Sequence, residues 1–156
     1  MIIGLMGRLR ERGGGPAFEP HVTLLGGIEA DATEAAGKLE GLAARIRPFT
    51  LELGRLDWRE ERFRCLFAVV EPSAELAAAR RAALEAFGVA PAEPYEPHLS
   101  LLYGELDAAV KRELAAAAGG RLDISFEAVA VELVNTSRSI PVERWRTLAA
   151  RPFTAR

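Results

Sequence analysis

Apolar residues recur at helical spacing in four stretches of the chain. Ile2, Ile3, Met6 and Leu9 predict a helix over residues 1–12, stopped by Gly13 to Gly15. Leu39, Leu42 and Ile46 share one face of a second helix over 32–46, capped by Asp31. Residues 74–87 read as a third, with Ser73 as N-cap and Gly88 as its stop. Asp107 caps a fourth over 108–118, ended by Gly119-Gly120. The intervening runs read as strands: Phe49 to Leu53, Phe63 to Val70, Leu122 to Phe126 and Ala128 to Val134. Arg144 to Ala149 is the last strand-like stretch.

The chain also repeats itself. Phe18-Glu19-Pro20-His21-Val22-Thr23-Leu24-Leu25 returns as Tyr95-Glu96-Pro97-His98-Leu99-Ser100-Leu101-Leu102. Each position is identical or chemically close, and the chain's only two histidines occupy the same place in the two copies. A turn and a helix follow each copy. The second helix–His unit is preceded by the strand 63–70, but the first has nothing ahead of its helix. The symmetry predicts a strand there, either missing from this chain or formed by Met1 to Leu5. The predicted architecture is α+β: one bilobal domain over 1–156, with pseudo-repeats at roughly 1–56 and 63–135. Two antiparallel sheets, flanked by outer helices, leave a central cleft across which the two His strands approach.

Alternate residues of a strand share a face, so His21 pairs with Thr23 and His98 with Ser100. Two imidazoles and two hydroxyls around one point suit a phosphoryl centre. A neutral imidazole takes a proton from water, and an imidazolium protonates the departing sugar oxygen. The hydroxyls donate to the non-bridging oxygens, where charge accumulates. A single His-x-Ser/Thr on a strand is more often structural; Thr suits strands and Ser is merely polar. Duplication that uses every histidine in the chain favours chemistry.

Composition narrows the class. At 156 residues, with 49% hydrophobic and 27% charged, the chain is an ordinary globular protein able to bury a core. No apolar run approaches the ~20 residues of a membrane helix, and the N-terminus lacks a secretory pattern. Cys65 is alone and forms no internal disulfide, so a reducing cytoplasm is expected. A net charge of −2 argues against a nucleic-acid polymer as main partner and suits a small anionic ligand. A monomer is expected.

The paired motifs resemble the two-histidine (2H) phosphoesterase superfamily, whose signature is a pair of H-x-[ST]-x motifs. PHVTLL and YEPHLSLLYGEL look like the segments around those motifs in the small cyclic phosphodiesterases of plants and yeast. RCLFAVVEPSAEL and VERWRTLA extend the likeness, which runs from about Leu5 to Ala149. The resemblance implies a bilobal α+β fold and metal-free hydrolysis without a cofactor. It implies substrates such as ADP-ribose 1″,2″-cyclic phosphate and nucleoside 2′,3′-cyclic phosphates. His21 and His98 match the catalytic pair, and Thr23 and Ser100 the phosphate-binding hydroxyls. Tyr103 matches a tyrosine near the family's site, although a strand-end core aromatic reads the same way. Family members begin with a strand bearing an aromatic residue near the cleft; this sequence starts inside the helix that follows it.

Other residues carry weaker signals. Glu19 and Glu96 share parity with the histidines and suit orienting them, or completing a two-His, two-Glu metal site, but a solvated Glu before Pro is the plainer reading. Arg64, Arg138 and Arg144 are candidate phosphate contacts, and the Asn135 to Ser139 loop is placed to reach a cleft. Trp58 falls at a hairpin tip within Asp57 to Arg62, fit to stack on a base or fold back on the sheet. Trp145 reads as core, and Cys65 as an inert buried thiol. The glycines at 13–15 and 26–27 form no dinucleotide fingerprint. The leading function is hydrolysis of cyclic nucleotide phosphates. Its competitors are an enzyme of RNA 2′,3′-cyclic ends with 2′-5′ ligation, a noncatalytic nucleotide-binding module, and a metal hydrolase using the Glu-x-His pairs.

Overall fold

The computed structural model describes residues 1–91 and 94–156. Its helices are α1 (Ile2–Gly13), α2 (Ala32–Ala43), α3 (Ala74–Phe87) and α4 (Ala108–Ala117). Its strands are β1 (Phe49–Asp57), β2 (Leu66–Val70), β3 (His98–Leu102), β4 (Arg121–Ala128), β5 (Ala130–Asn135) and β6 (Arg146–Pro152). Short 3₁₀ turns at Arg62–Arg64 and Val142–Arg144 lead towards β2 and β6.

Local chemistry explains the helix ends. The Asp31 carboxylate accepts from the amides of Thr33 and Glu34, both at 2.9 Å, and Ser73 Oγ accepts from Leu76 N at 3.1 Å. Gly88 closes α3 with a left-handed φ of 63°. The helix predicted to reach residue 46 stops at Ala43, yet Ile46 still packs beside Leu42 in a buried cluster. The strand predicted from Phe63 starts at Leu66, because residues 62–64 coil into a 3₁₀ turn. Ile2 to Leu5 are helical, so Met1 to Leu5 do not form the strand that the repeat symmetry calls for.

The fold is α+β with two antiparallel sheets, one of four strands in the order β3-β2-β1-β4 and one of two, β5-β6. The chain divides into two compact units. The first holds Met1–Thr23, Glu52–Glu71 and Glu96–Ser125; the second holds Leu24–Leu51, Pro72–Tyr95 and Phe126–Arg156. Each unit draws segments from both sequence repeats.

In the first unit, α1 packs on β3 and α4. Buried in this unit are Met6 and Leu9 of α1, Leu53, Leu66 and Phe67 of the sheet, Leu99 and Leu101 of β3, and Leu114 of α4. β2 is the apolar strand buried between β1 and β3, as its unbroken Leu-Phe-Ala-Val-Val run demands. In the second unit, α2 lies on α3, β5 and β6, and Leu42, Ile46, Ala79, Ala82 and Ala83 form its centre.

The link after α1 depends on Gly15. Its φ is +91°, and a Cβ there would lie 2.2 Å from the Tyr103 carbonyl oxygen. The backbone passes this close only because the residue has no side chain.

Candidate active site

The two His motifs meet in the first unit. β3 pairs with β2 along one edge, with Val69 opposite His98 and Phe67 opposite Ser100. The segment carrying His21 is not a ladder strand, contrary to the sequence expectation. It touches β3 through a single antiparallel bridge between Val22 and Leu99. Continuing that register one residue each way sets His21 opposite Ser100 and Thr23 opposite His98. Opposite residues of an antiparallel pair project to the same face with Cβ atoms about 5 Å apart. The bridge therefore gathers the four motif side chains at one place.

The imidazoles are oriented alike. His21 Nδ1 lies 2.8 Å from the carbonyl oxygen of Glu19, and His98 Nδ1 lies 2.8 Å from that of Glu96. A carbonyl only accepts, so Nδ1 carries the proton in both rings. Nε2 is then the nitrogen that gains or loses a proton. The glutamates thus orient the rings through their main chain, not through their carboxylates.

The surroundings of the two rings differ. His21 is exposed, with Phe18 edge-on at 6.3 Å between ring centres. His98 is half-buried, 5.0 Å from the Phe67 ring. Burial, aided by the charges of Arg64 and His21, holds His98 below the ordinary histidine range, although the Glu96 carbonyl and carboxylate oppose the shift.

Thr23 is exposed, whereas Ser100 is 5% exposed and donates its hydroxyl to the Phe63 carbonyl at 3.2 Å. Ser100 also hydrogen-bonds Tyr103, which is buried at the end of the strand. Burial pushes the Tyr103 phenol up, partly offset by Ser100. Phe18 stacks on Tyr103 at 3.8 Å, and Phe63 meets it edge-on at 5.2 Å. Phe18 and Tyr95 are equivalent in the sequence repeat but not in space. Tyr95 belongs to the second unit, where the Arg80 guanidinium lies 4.5 Å from its ring centre.

Sequence reasoning missed a line of alternating charges. Arg55 pairs with Asp57 at 2.6 Å, Asp57 with Arg59 at 3.0 Å, Arg59 with Glu96 at 3.6 Å, and Glu96 with Arg64 at 2.5 Å. Arg59 and Arg64 each hold a guanidinium carbon 5.4 Å from the centre of the Phe67 ring. Arg64 keeps the Glu96 carboxyl below the usual carboxylate range. Burial raises Asp57, but hydrogen bonds from Arg55 and Arg59 outweigh it and leave it lowered. The signal was the i, i+2 spacing of Arg55, Asp57 and Arg59, which puts all three on one side of an extended chain. Also missed was Lys111 of α4, 1% exposed, whose Nζ donates to the Arg59 carbonyl at 2.8 Å.

The remaining candidates fall as follows. Arg64 lies in the 3₁₀ turn of the first unit; Arg138, Arg144 and the Asn135 to Ser139 loop belong to the second. Trp58 is half-buried at the β1–β2 connection, its amide donating to Asp57. Trp145 is half-buried ahead of β6. Cys65 is fully buried, and burial pushes its thiol up. The Glu96 carboxylate is committed to arginines, and among the described residues no three His, Cys, Asp or Glu cluster as metal donors.

The sequence matches the 2′-5′ RNA ligase superfamily over residues 6–139. The chain belongs to that family, the two-histidine phosphoesterases. This phosphoesterase is 31% identical over 150 residues to the cyclic phosphodiesterase of Arabidopsis thaliana, covering 93% of this chain and 83% of that protein. Its fold matches crystal structures of E. coli LigT complexed with ATP and with 3′-AMP, each with a TM-score of 0.62 and 20% identity. Both matches cover 98% of the phosphoesterase, and 90% and 91% of the respective LigT chains. Family membership sets the reaction class as hydrolysis or ligation at phosphodiesters and cyclic phosphates.

Proposed function

We propose that this phosphoesterase hydrolyses cyclic phosphate esters of nucleotides by acid–base catalysis between His21 and His98, without a metal ion. The substrates are 2′,3′-cyclic nucleotides or ADP-ribose 1″,2″-cyclic phosphate. The Val22–Leu99 bridge supports the reading, because its register puts two identically oriented imidazoles diagonally across one antiparallel pair, each opposite the other motif's hydroxyl.

The unequal surroundings divide the labour. His98, half-buried and disfavoured as a cation, is the neutral base; its Nε2 takes a proton from water as the water oxygen attacks phosphorus. Solvent-exposed His21, protonated at Nε2, delivers its proton to the ester oxygen as the P–O bond breaks. One proton is taken and one given, and exchange with solvent restores both rings. Thr23 and Ser100 donate to the non-bridging oxygens, Ser100 by turning its hydroxyl from the Phe63 carbonyl. Tyr103 holds Ser100 in place from behind.

The Arabidopsis relative's name supports a cyclic phosphodiester substrate, and the LigT complexes with ATP and 3′-AMP support a nucleotide. The family's name favours a second reading, action on RNA ends carrying 2′,3′-cyclic phosphates. The test compares a 2′,3′-cyclic mononucleotide, ADP-ribose 1″,2″-cyclic phosphate and a cyclic-ended oligonucleotide, each with and without chelator. Turnover of a small substrate, unchanged by chelator, is expected. Turnover of the oligonucleotide alone favours the RNA reading. Binding without turnover of any substrate leaves a nucleotide-binding module.

A further inference from the structure

The sequence repeat gives the two histidines the same neighbours, yet among the described residues only the glutamate beside His98 has its carboxylate held by arginines. Glu96 serves His98 twice over. Its carbonyl accepts from Nδ1 at 2.8 Å, while its carboxylate is gripped by Arg64 at 2.5 Å and Arg59 at 3.6 Å. Glu19, its counterpart, also offers a carbonyl to His21 at 2.8 Å, but is exposed and makes no ion pair among the described residues. We propose that Glu96, clamped by Arg64 and Arg59, is a positioning residue for His98 alone, so that of the two carbonyls that orient the imidazoles only the one serving His98 is fixed through its own side chain.

The clamp is anchored at several points. Arg59 is held at its guanidinium by Asp57 at 3.0 Å and at its carbonyl by buried Lys111 at 2.8 Å. Arg64 leaves the 3₁₀ turn just before β2, and its guanidinium shares the Phe67 ring with that of Arg59. Phe67 is the ring against which His98 lies. Pro97 confines Glu96 to extended backbone, and its own carbonyl accepts from Val70 N at 3.0 Å. Side chain and main chain of Glu96 are thus fixed independently, and a fixed carbonyl fixes the ring. The chain of five charges carries three arginines and two acids, a surplus of one positive charge beside His98. The charged groups facing that ring are Arg64 from the turn, Glu96 at its own strand's start and His21 across the bridge, with Arg59 and Asp57 behind them.

This inference rests on the acid–base reading for its kinetic consequence but has a readout free of activity. The chain holds two histidines, so ¹H NMR isolates the His98 ring and follows its titration directly. Arg64→Gln removes a cation and is expected to move the His98 titration to higher pH. Glu96→Gln leaves Arg64 uncompensated and is expected to move it to lower pH. Glu19→Gln, which touches neither Arg64 nor Arg59, is expected to leave the His98 titration where it is in the parent protein. In kinetics on a 2′,3′-cyclic mononucleotide, Glu96→Gln is expected to lower kcat at least about tenfold with KM little changed. Arg64→Lys, which keeps the charge, is expected to retain the parent His98 titration. Shifts of the same sign for Arg64→Gln and Glu96→Gln, or no His98 shift with either, would overturn the clamp. Opposite shifts in a protein that turns over no cyclic phosphate would uphold the clamp and sink the hydrolytic reading.

Discussion

Val22 and Leu99, the middle residues of the two His-x-Thr/Ser motifs, face each other across one isolated antiparallel bridge. The axis relating the two motifs therefore passes between these two backbones. Two pairs of polar side chains, His21 with Thr23 and His98 with Ser100, lie more than seventy positions apart in sequence and are brought beside one another by a single pairing. The bridge also makes the site asymmetric, since β3 is laddered to β2 on its other edge and the His21 segment is not. One half of the site sits on the edge strand of a sheet, and the other lies along that strand's outer side.

His21→Ala and His98→Ala are each expected to lower kcat by about 10²-fold or more on a 2′,3′-cyclic mononucleotide, since each removes one proton-transfer partner. The double variant should fall little further than the worse single one, because the two rings serve one step. Steady-state kinetics on the purified variants checks this. A variant that keeps near-parent kcat removes that histidine from the mechanism.

The pH dependence follows from the direction of the His98 shift. The base must be neutral, so activity falls on the acid side as His98 gains a proton. Burial and Arg64 place that event below the ordinary histidine value of about 6.5, so activity persists into mildly acidic solution. Stability follows the same sign. The unfolded chain binds the proton more readily than the fold does, so folding free energy contributed by neutral His98 is present above the unfolded value. It is lost as pH drops through the window between the two. Denaturation midpoints measured at pH 7.5 and pH 5.5 should drop on acidification, and His98→Gln should flatten that drop.

Gly15→Ala is expected to destabilise the fold by roughly 2 kcal/mol or more, from a positive φ and a Cβ driven against the Tyr103 carbonyl. Because Tyr103 braces Ser100 and stacks on Phe18, the same change should lower turnover. Urea denaturation gives the stability, and Gly14→Ala, whose Cβ has open space at a similar φ, isolates the clash from the backbone cost.

Lys111→Met keeps most of the buried volume but orphans the Arg59 carbonyl. A stability loss of about 1–3 kcal/mol is expected from that unsatisfied acceptor. Arg59 should loosen with it, so the His98 ring resonance should broaden while that of His21 stays sharp. Unchanged stability would mean that water replaces the ammonium at no cost.

Much of the fold was legible because it is local. Asp31 and Ser73 announce their helices by hydrogen-bonding amides two or three residues away. Gly88 stops α3 through its own φ, and apolar spacing alone sets which helical faces are buried. The duplicated motif is also a property of sequence, and so is the parity that puts each histidine on the side of its hydroxyl. The boundaries failed where distant partners decide them: Phe63 and Arg64 coil into a turn, and the His21 segment gets one bridge instead of a ladder.

Residue types, their repetition and their short-range spacing thus determined by themselves the helices, the alternating strands and the pair of His-x-Thr/Ser units. Tertiary structure decided which imidazole is half-buried, and that Ser100 is buried against the Phe63 carbonyl while Thr23 is exposed. It also decided that Glu96 meets two arginines whereas Glu19 meets none among the described residues. The physical reason is range. Helix caps and strand parity act over a few bonds, whereas burial and charge pairing depend on segments that only the folded chain brings within a few ångströms.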